Sequence, residues 1–193
     1  MATQTENAES GSAAEEAPMK EGAIAGAGAF VAGFVGVAVL AFVDSEIEIG
    51  ESEFGTFTEL GWFFYASHYV DMSYSFGPET ETQSLFADGS TQIPEVVFYL
   101  VPAIVLVGVG FWLANQFADL ADSGDSIVSG AAVVIGYLPL VAVGTFLFEE
   151  SESMGDFSMS IGPDLVQSLV FAGLIFPIVF GAIGGYLAHQ QAQ

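Results

Sequence analysis

Residues 22–43 have the sequence GAIAGAGAFVAGFVGVAVLAFV, 22 residues without a charged side chain. An α-helix rises about 1.5 Å per residue, so about 20 apolar residues cross the ~30 Å hydrocarbon layer of a bilayer. The stretch is longer than the apolar core of a cleaved signal peptide, about 7–15 residues, and the segment before it is acidic. We therefore interpret it as a retained membrane span.

Three further apolar blocks follow, at residues 93–116, 126–148 and 165–189. Each is long enough to cross a bilayer, whereas buried helices of a soluble protein would show polar faces that these blocks lack. The sequence therefore predicts an all-α membrane protein with four transmembrane helices, forming one membrane domain over residues 22–193. Residues 1–21 are rich in Ala, Glu, Ser and Thr and contain no aromatic side chain, so we expect a flexible acidic tail there.

The orientation of the predicted helices depends on Lys20, which lies two residues before the first span. Because Lys and Arg near span ends favour the cytoplasmic side, Lys20 predicts a cytoplasmic N-terminus, and four spans return the C-terminus to the same side. The long segments 44–92 and 149–164 are then outer loops. The acidic residues divide in the same way, with 16 on the outer side, including Glu95 at the outer end of the second span, and 8 on the inner side.

The charge of the chain is strongly acidic, with 24 acids against one base and a formal charge of −23. With one Lys and no Arg no basic patch can form, so we expect no nucleic-acid partner. The absence of cysteine excludes disulfides and cysteine metal sites. An acid-rich, lysine-poor surface suits molar salt, where the Debye length is about 3 Å, and it predicts a halophilic source. The alternative is an acidic cation-binding surface.

A distinctive aromatic segment, LGWFFYASHYVD, occupies residues 60–71 in the longer outer loop. It is too short to cross a bilayer, so we predict a short helix whose aromatic face lies at the membrane interface, with a plug at the outer end of the bundle as the alternative. The candidate functional residues are Gly61, Trp62, Tyr65, His68 and Asp71. His68 and Asp71 are adjacent at helical spacing, but a metal site needs further ligands and catalysis needs a positioned nucleophile. We therefore predict a structural histidine and no catalytic, metal or cofactor residue.

This segment resembles a motif, GW-x-F-Y-x-x-H-x-V-D, in a family of uncharacterised haloarchaeal integral membrane proteins. In that family a Gly/Ala-rich first span precedes a long outer loop with the motif, and further spans follow. The resemblance implies a multi-span membrane protein of a salt-loving archaeon. Such proteins are sometimes loosely labelled transporters, and the resemblance implies no substrate, reaction or ligand.

Small residues at spacing four form stripes in two spans. Such stripes let helix backbones approach closely, which is a main source of attraction between helices in lipid. We expect them to pack within the bundle, with a subunit interface as the alternative. The predicted packing residues are Gly22, Gly26, Gly173, Pro177, Gly181 and Gly185.

No Asp, Glu, Lys or Arg lies at the centre of a block, where ionisable residues usually mark proton relays and coupled transport. We therefore expect a structural or interaction subunit of the cell envelope that is not an enzyme. Its partners would be the lipid bilayer and either another membrane protein or further copies in a homo-oligomer. A transporter or channel component is the alternative, with span residues such as Tyr99, Tyr137 and Gln167 lining a path.

Overall fold

The computed structural model contains seven α-helices, one π-helical segment and four short strands in the part of the chain that it describes. The helices are α1 Thr3–Val43, α2 Thr56–Ala66, α3 Glu95–Phe117, α4 Ser123–Ala131, α5 Val134–Leu147, α6 Leu165–Gln167 and α7 Phe176–Gln191, with the π segment at Ser168–Ile175. The strands are β1 Met72–Phe76, β2 Glu79–Gln83, β3 Glu150–Met154 and β4 Phe157–Pro163. The described residues are 3–50, 52–87, 91–154 and 157–193, and the side chains of 3–18, 154 and 157 lie outside the description.

Four stretches of the described chain are helical, long and apolar enough to span a membrane, as the sequence predicts. They are Met19–Val43, Glu95–Phe117, Ser123–Leu147 and Leu165–Gln191. The third combines α4 and α5, and the fourth combines α6, the π segment and α7. The flexible tail predicted for residues 1–21 stays a prediction, because residues 1–2 and the side chains of residues 3–18 lie outside the description.

The bundle holds its helices together by direct backbone contact at glycines. A Cβ at Gly26 would lie 2.8 Å from the backbone nitrogen of Tyr137 and would overlap the carbonyl oxygen of Val133. A Cβ at Gly181 would likewise overlap the carbonyl oxygen of Gly130, and one at Gly110 would overlap that of Gly181. Only glycine allows backbones to come this close, and this close approach is what stabilises helix pairs in lipid.

A four-stranded antiparallel sheet lies outside the bundle, in the order β2-β1-β4-β3. The prediction of an all-α protein is therefore wrong for the segments between spans. The physical reason is a strict alternation of side chains in β1, MSYSF, and β4, FSMSIGP, which places apolar residues on one face and hydroxyls on the other. The Gly77-Pro78 turn joins β1 to β2, and Gly77 adopts a φ of 59°, which favours glycine.

The sheet and α2 lie where the first span ends and the second begins, and we call this the sheet end of the bundle. The opposite end, which we call the terminal end, carries the C-terminus and the turn between α3 and α4. Nδ1 of His189, close to the C-terminus, donates to the Leu120 carbonyl oxygen at 2.8 Å, so the C-terminal turn is bonded to the connection between α3 and α4. The two ends are therefore built differently, one from an elaborate loop structure and the other from a short turn.

Candidate functional site

The aromatic segment forms α2, and its residues are buried in the bundle rather than displayed on its surface. Phe64 and Tyr65 are fully buried, Trp62 is nearly so, and His68 just beyond the helix has no exposed surface. The expected aromatic face at the membrane interface is therefore wrong for Trp62 and Tyr65, whereas Tyr69 is 57% exposed. The buried residues have the geometry of the alternative, a plug. We call residues 56–71 the aromatic plug.

Trp62 fastens the plug to the end of the third span. Its indole Nε1–H donates to the carbonyl oxygen of Phe148 at 2.7 Å. The last carbonyls of a helix lack partners within the helix, so this bond satisfies one at the end of α5. Gly61 is required next to it, because a Cβ there would lie 2.6 Å from Cε1 of the Phe148 ring.

Tyr65 reaches further into the bundle, about two helical turns deeper along α5. Its hydroxyl donates to the carbonyl oxygen of Val141 at 2.5 Å and lies 3.4 Å from the hydroxyl of Thr145. Gly144 provides the space, since a Cβ there would lie 2.5 Å from the tyrosine oxygen. Burial raises the pKa of Tyr65 above its ordinary value, so the phenol stays protonated and acts as a donor.

His68 is the centre of the plug and bonds to two elements. Its Nδ1 lies 2.7 Å from the carbonyl oxygen of Phe64, and its Nε2 lies 2.8 Å from the hydroxyl of Tyr137 on α5. A carbonyl can only accept, so Nδ1 carries the proton and Nε2 accepts the hydrogen of the Tyr137 hydroxyl. Burial lowers the pKa of His68 to about 4, which is consistent with this neutral form.

Rings surround His68 on both sides. Its ring centroid lies 4.7 Å from that of Phe64 and 4.8 Å from that of Phe176 on α7. The histidine therefore joins the plug to the third span by a hydrogen bond and to the fourth span by ring packing.

Asp71, the last residue of the motif, connects the plug to the start of the fourth span. Its backbone N–H donates to Oε1 of Gln167 at 2.8 Å, and the Gln167 amide nitrogen donates to the Asp71 carboxylate at 3.2 Å. The Asp71 carbonyl also accepts from the Asp164 N–H at 2.9 Å. Asp71 and His68 thus bond to different spans, and the structure does not bring them together as a metal pair or an acid–base dyad.

The fourth span changes its winding beside the plug. The N–H of Phe176 bonds to the carbonyl of Phe171, five residues earlier, as a π-helix requires. Pro177 follows directly, and because proline has no N–H and crowds the carbonyl four residues back, the wider turn lets the helix continue. Ser168 begins this segment, and its hydroxyl oxygen is buried without a hydrogen-bond partner among the described residues.

Asp44 is a structural acid that reasoning from the sequence missed. Its Oδ1 accepts from the N–H groups of Glu46 and Gln92 at 3.0 Å, and its Oδ2 accepts from the N–H of Ile93 at 2.7 Å. It thereby joins the end of the first span to the start of the second. Burial alone would raise the pKa of Asp44, but the backbone donors outweigh burial and hold the pKa below its ordinary value of 3.8. The only sequence feature that could have indicated this role is the position of Asp44 directly after the uncharged residues 22–43.

Replacing Asp44 with asparagine is expected to destabilise the protein by about 1 kcal/mol, because an amide nitrogen would then face the N–H of Ile93. The stabilisation by the carboxylate is complete above the unfolded-state pKa and is lost as the pH falls through the lower folded-state pKa. Unfolding of both proteins by denaturant at pH 7 and below pH 4 checks this. An equal difference at both pH values would contradict the role of the charge.

The remaining predicted residues are the packing glycines, which lie inside the bundle, and Lys20, which lies at its terminal end. The glycine stripes are used inside the bundle: Gly22 lies against Ala132, and Gly185 lies against Ser126. Gly173 lies against the Leu138 side chain rather than against a backbone, since a Cβ there would lie 2.5 Å from the Leu138 Cδ1. Lys20 is exposed near the terminal end of the first span. Among the described residues no group of three His, Asp or Glu side chains is placed to hold a metal ion.

These features define a class of protein. The described chain has four helical stretches long and apolar enough to cross a membrane, and a buried aromatic plug packs into one end of the bundle. Residues 1–192 match a family of unknown function, DUF7978, and the chain belongs to this family. No curated protein and no solved structure matches the chain.

Proposed function

We propose that the protein is a structural or interaction subunit of the cell envelope of a halophilic archaeon, and that it is not an enzyme. The observation that carries the proposal is the state of the polar side chains in the bundle. Tyr137 is fully buried and its hydroxyl bonds to His68, and Gln167 bonds to Asp71. The polar side chains of Tyr137 and Gln167, which could line a transport path, therefore hydrogen-bond to the aromatic plug instead.

The close packing of the helices supports the same function. Backbones of the first and third spans touch at Gly26 and Gly136, and those of the second and fourth touch at Gly110 and Gly184. At these described positions the two helices of each pair are in backbone contact, with no space for water between them. The surfaces through which such a chain would contact a partner are the outer faces of its spans and the sheet.

The halophilic source is supported by the distribution of charge. Acids occur at both ends of the bundle, whereas Lys20 is the only base. At ordinary ionic strength this many like charges repel each other and oppose the compact state, and molar salt screens them. Neighbouring pairs such as Glu79 and Glu81 on one exposed strand are examples of such repulsion.

Lys20 supports an orientation with both termini in the cytoplasm and the sheet outside. The chain contains no cysteine, so single cysteines report position without background. With intact cells and a membrane-impermeant thiol reagent, Ser52→Cys at the sheet end is expected to be labelled and Ser123→Cys at the terminal end is not. Both positions are exposed in the structure. Labelling at position 123 without labelling at position 52 would reverse the orientation.

The interaction role is tested by purification from native membranes at high salt after mild chemical crosslinking. A subunit is expected to be recovered in a stoichiometric complex whose mass exceeds that of one chain. Recovery of the monomer alone, both with and without crosslinking, would contradict the proposed role.

A transporter component is the second candidate, and the π segment favours it. π-helical turns occur frequently at functional sites, and Ser168 at the start of this one has a buried hydroxyl without a partner. Transport would require water to reach this hydroxyl. Modification of Ser168→Cys by a small water-soluble thiol reagent would favour this candidate over the first.

A further inference from the structure

The sheet has two faces of opposite chemistry, and the strand register defines both. In an antiparallel sheet, residues directly opposite each other point to the same face. One face carries hydroxyls in every strand, including Ser73 opposite Thr82 and Ser75 opposite Ser160. The other face carries the apolar residues of β1 and β4.

On the apolar face the register forms two rows with the same composition. The first row runs Glu81, Tyr74, Ile161, Glu150, and the second runs Glu79, Phe76, Met159, Glu152. In each row two apolar side chains on the central strands lie between two glutamates on the edge strands. We call this surface the acid-bordered strip.

The strip is accessible and concave. Tyr74 is 41% exposed and Met159 is 47% exposed. Together with Ile161 and Phe54 they line a groove of about 580 Å³, which Glu79 and Glu81 border on the β2 side. On the β3 side Glu152 is exposed, whereas Glu150 accepts a hydrogen bond from Thr58. Sheets with one polar and one apolar face normally cover the apolar face. The groove is therefore a surface on which another molecule can bury apolar side chains.

The charge of the borders favours an occupant of opposite charge, and molar salt weakens this preference but leaves it for charges in direct contact, about 3 Å apart. A second copy would bring glutamates against glutamates, and the only base of the chain, Lys20, lies at the other end of the bundle. An anionic lipid surface would be repelled in the same way. A partner that places Lys or Arg on both sides of an apolar stripe complements both borders.

The dimensions of the strip indicate the secondary structure of the partner. Strands lie about 4.8 Å apart. The glutamates of β2 and the glutamates of β3 are three strand spacings from each other, so the two borders are separated by about 14 Å. An α-helix with its side chains is about 10–12 Å wide and fits between them. In an extended peptide, alternate side chains point away from the sheet, so its bases could not border the same stripe.

We propose that the acid-bordered strip binds an amphipathic helix of a partner protein, with an apolar stripe bordered on both sides by Lys or Arg. The five residues of β1 extend over about 17 Å, which corresponds to about 11 helical residues. This inference rests on the proposed function, since it specifies the chemistry of the partner that an envelope subunit would bind.

The test uses the full chain in phosphatidylcholine nanodiscs and a labelled peptide of about 18 residues, a length at which helices form in isolation. The peptide contains only leucine and lysine, with the leucines on one helical face, and empty nanodiscs give the background. Saturable binding to the wild-type protein is expected, and a matched leucine–glutamate peptide is expected not to bind. Equal binding of the two peptides would overturn the proposal.

Two sets of variants locate the site. At about 0.1 M salt the triple variant Glu79→Gln, Glu81→Gln, Glu152→Gln is expected to weaken binding about tenfold, since it removes three exposed ion pairs with the peptide. The control triple variant Glu46→Gln, Glu48→Gln, Glu149→Gln removes the same charge at the same end of the bundle but outside the strip. An equal loss in both triple variants would overturn the proposal.

Salt separates the two parts of the interaction. Met159→Ser is expected to weaken binding about fivefold at both about 0.1 M and about 1 M KCl, because it removes buried apolar area. The effect of the glutamate variants is expected to shrink at about 1 M KCl, where charges are screened over about 3 Å. A Met159→Ser variant that binds the peptide as the wild type does would overturn the proposal. The proposal would also be overturned if the chain formed a dimer that Met159→Ser dissociates, because the strip would then bind a second copy of the chain.

The two proposals can fail separately. If a complex is recovered from native membranes but the strip variants leave peptide binding unchanged, the inference about the strip fails and the proposed function stands. If only a monomer is recovered, the proposed function fails, whatever the peptide binds.

Discussion

Replacing Gly26 with alanine is expected to destabilise the bundle by about 3 kcal/mol, at the upper end of the usual cost of overpacking. The added Cβ would overlap the carbonyl oxygen of Val133 and would lie 2.8 Å from the backbone nitrogen of Tyr137. Backbone atoms cannot move aside as a flexible side chain does, so the first and third spans must separate. Tyr137 would move with the third span, and its bond to His68 would be strained.

Gly28→Ala is the matched control, because it lies two residues away on the same helix and a Cβ there meets no atom within 4 Å. Its stability is expected to equal that of the wild type or to exceed it slightly, since alanine favours helix more than glycine does. Thermal unfolding in detergent, followed by circular dichroism, compares the three proteins. Equal midpoints for Gly26→Ala and Gly28→Ala would show that the first and third spans do not meet as described.

Replacing His68 with phenylalanine is expected to destabilise the protein by about 2 kcal/mol. The new ring keeps the contacts with Phe64 and Phe176, but the hydroxyl of Tyr137 is left buried without an acceptor, which costs about 1–3 kcal/mol. The carbonyl of Phe64 keeps a donor, the hydroxyl of Ser67 at 2.6 Å. The loss therefore measures the bond between the plug and the third span.

A double-mutant cycle isolates this bond. Tyr137→Phe alone leaves Nε2 of His68 without a donor, and the double variant removes both partners, so its destabilisation is expected to be smaller than the sum of the two single effects. Denaturant unfolding of the four proteins gives the coupling energy. Strict additivity would contradict the hydrogen bond between the two side chains.

The pH dependence of the same variant provides a further check. The pKa of His68 is lowered by burial from 6.5 to about 4, so between these values the unfolded chain binds a proton that the folded protein does not. Stability of the wild type therefore falls as the pH is lowered through this range. His68→Phe lacks this loss, and the difference between the two proteins is expected to shrink from pH 7 to pH 4. A constant difference over this range would contradict the burial of a neutral His68.

The four spans could be predicted because a bilayer imposes a length and a composition that a single uncharged block satisfies. Residues 22–43, for example, reappear within the span Met19–Val43. The sheet could not be found in this way. Strands of five residues carry a signal of only two or three alternations, and the Ser and Glu of β3 resemble any polar loop. Only pairing with β4 gives those residues a defined structure.

The site was predictable in its members but not in its arrangement. Trp62, Tyr65 and His68 were conspicuous because aromatic residues are concentrated in an otherwise polar loop. Their partners could not be inferred, because Tyr137 is 69 residues from His68 and Phe148 is 86 residues from Trp62. Sequence periodicity describes one helix at a time, whereas the burial of α2 depends on the space left by Gly144 on a different span.

We propose that the aromatic plug keeps water out of the sheet end of the bundle, so that the chain acts through its surfaces rather than as a path. Substituted-cysteine accessibility tests it directly at Ser168, whose buried side chain differs from cysteine by one atom. We expect a small water-soluble thiol reagent to leave Ser168→Cys unmodified in membranes while Ser52→Cys reacts. Reaction of both variants at similar rates would mean that water reaches the fourth span behind the plug, and it would contradict the claim.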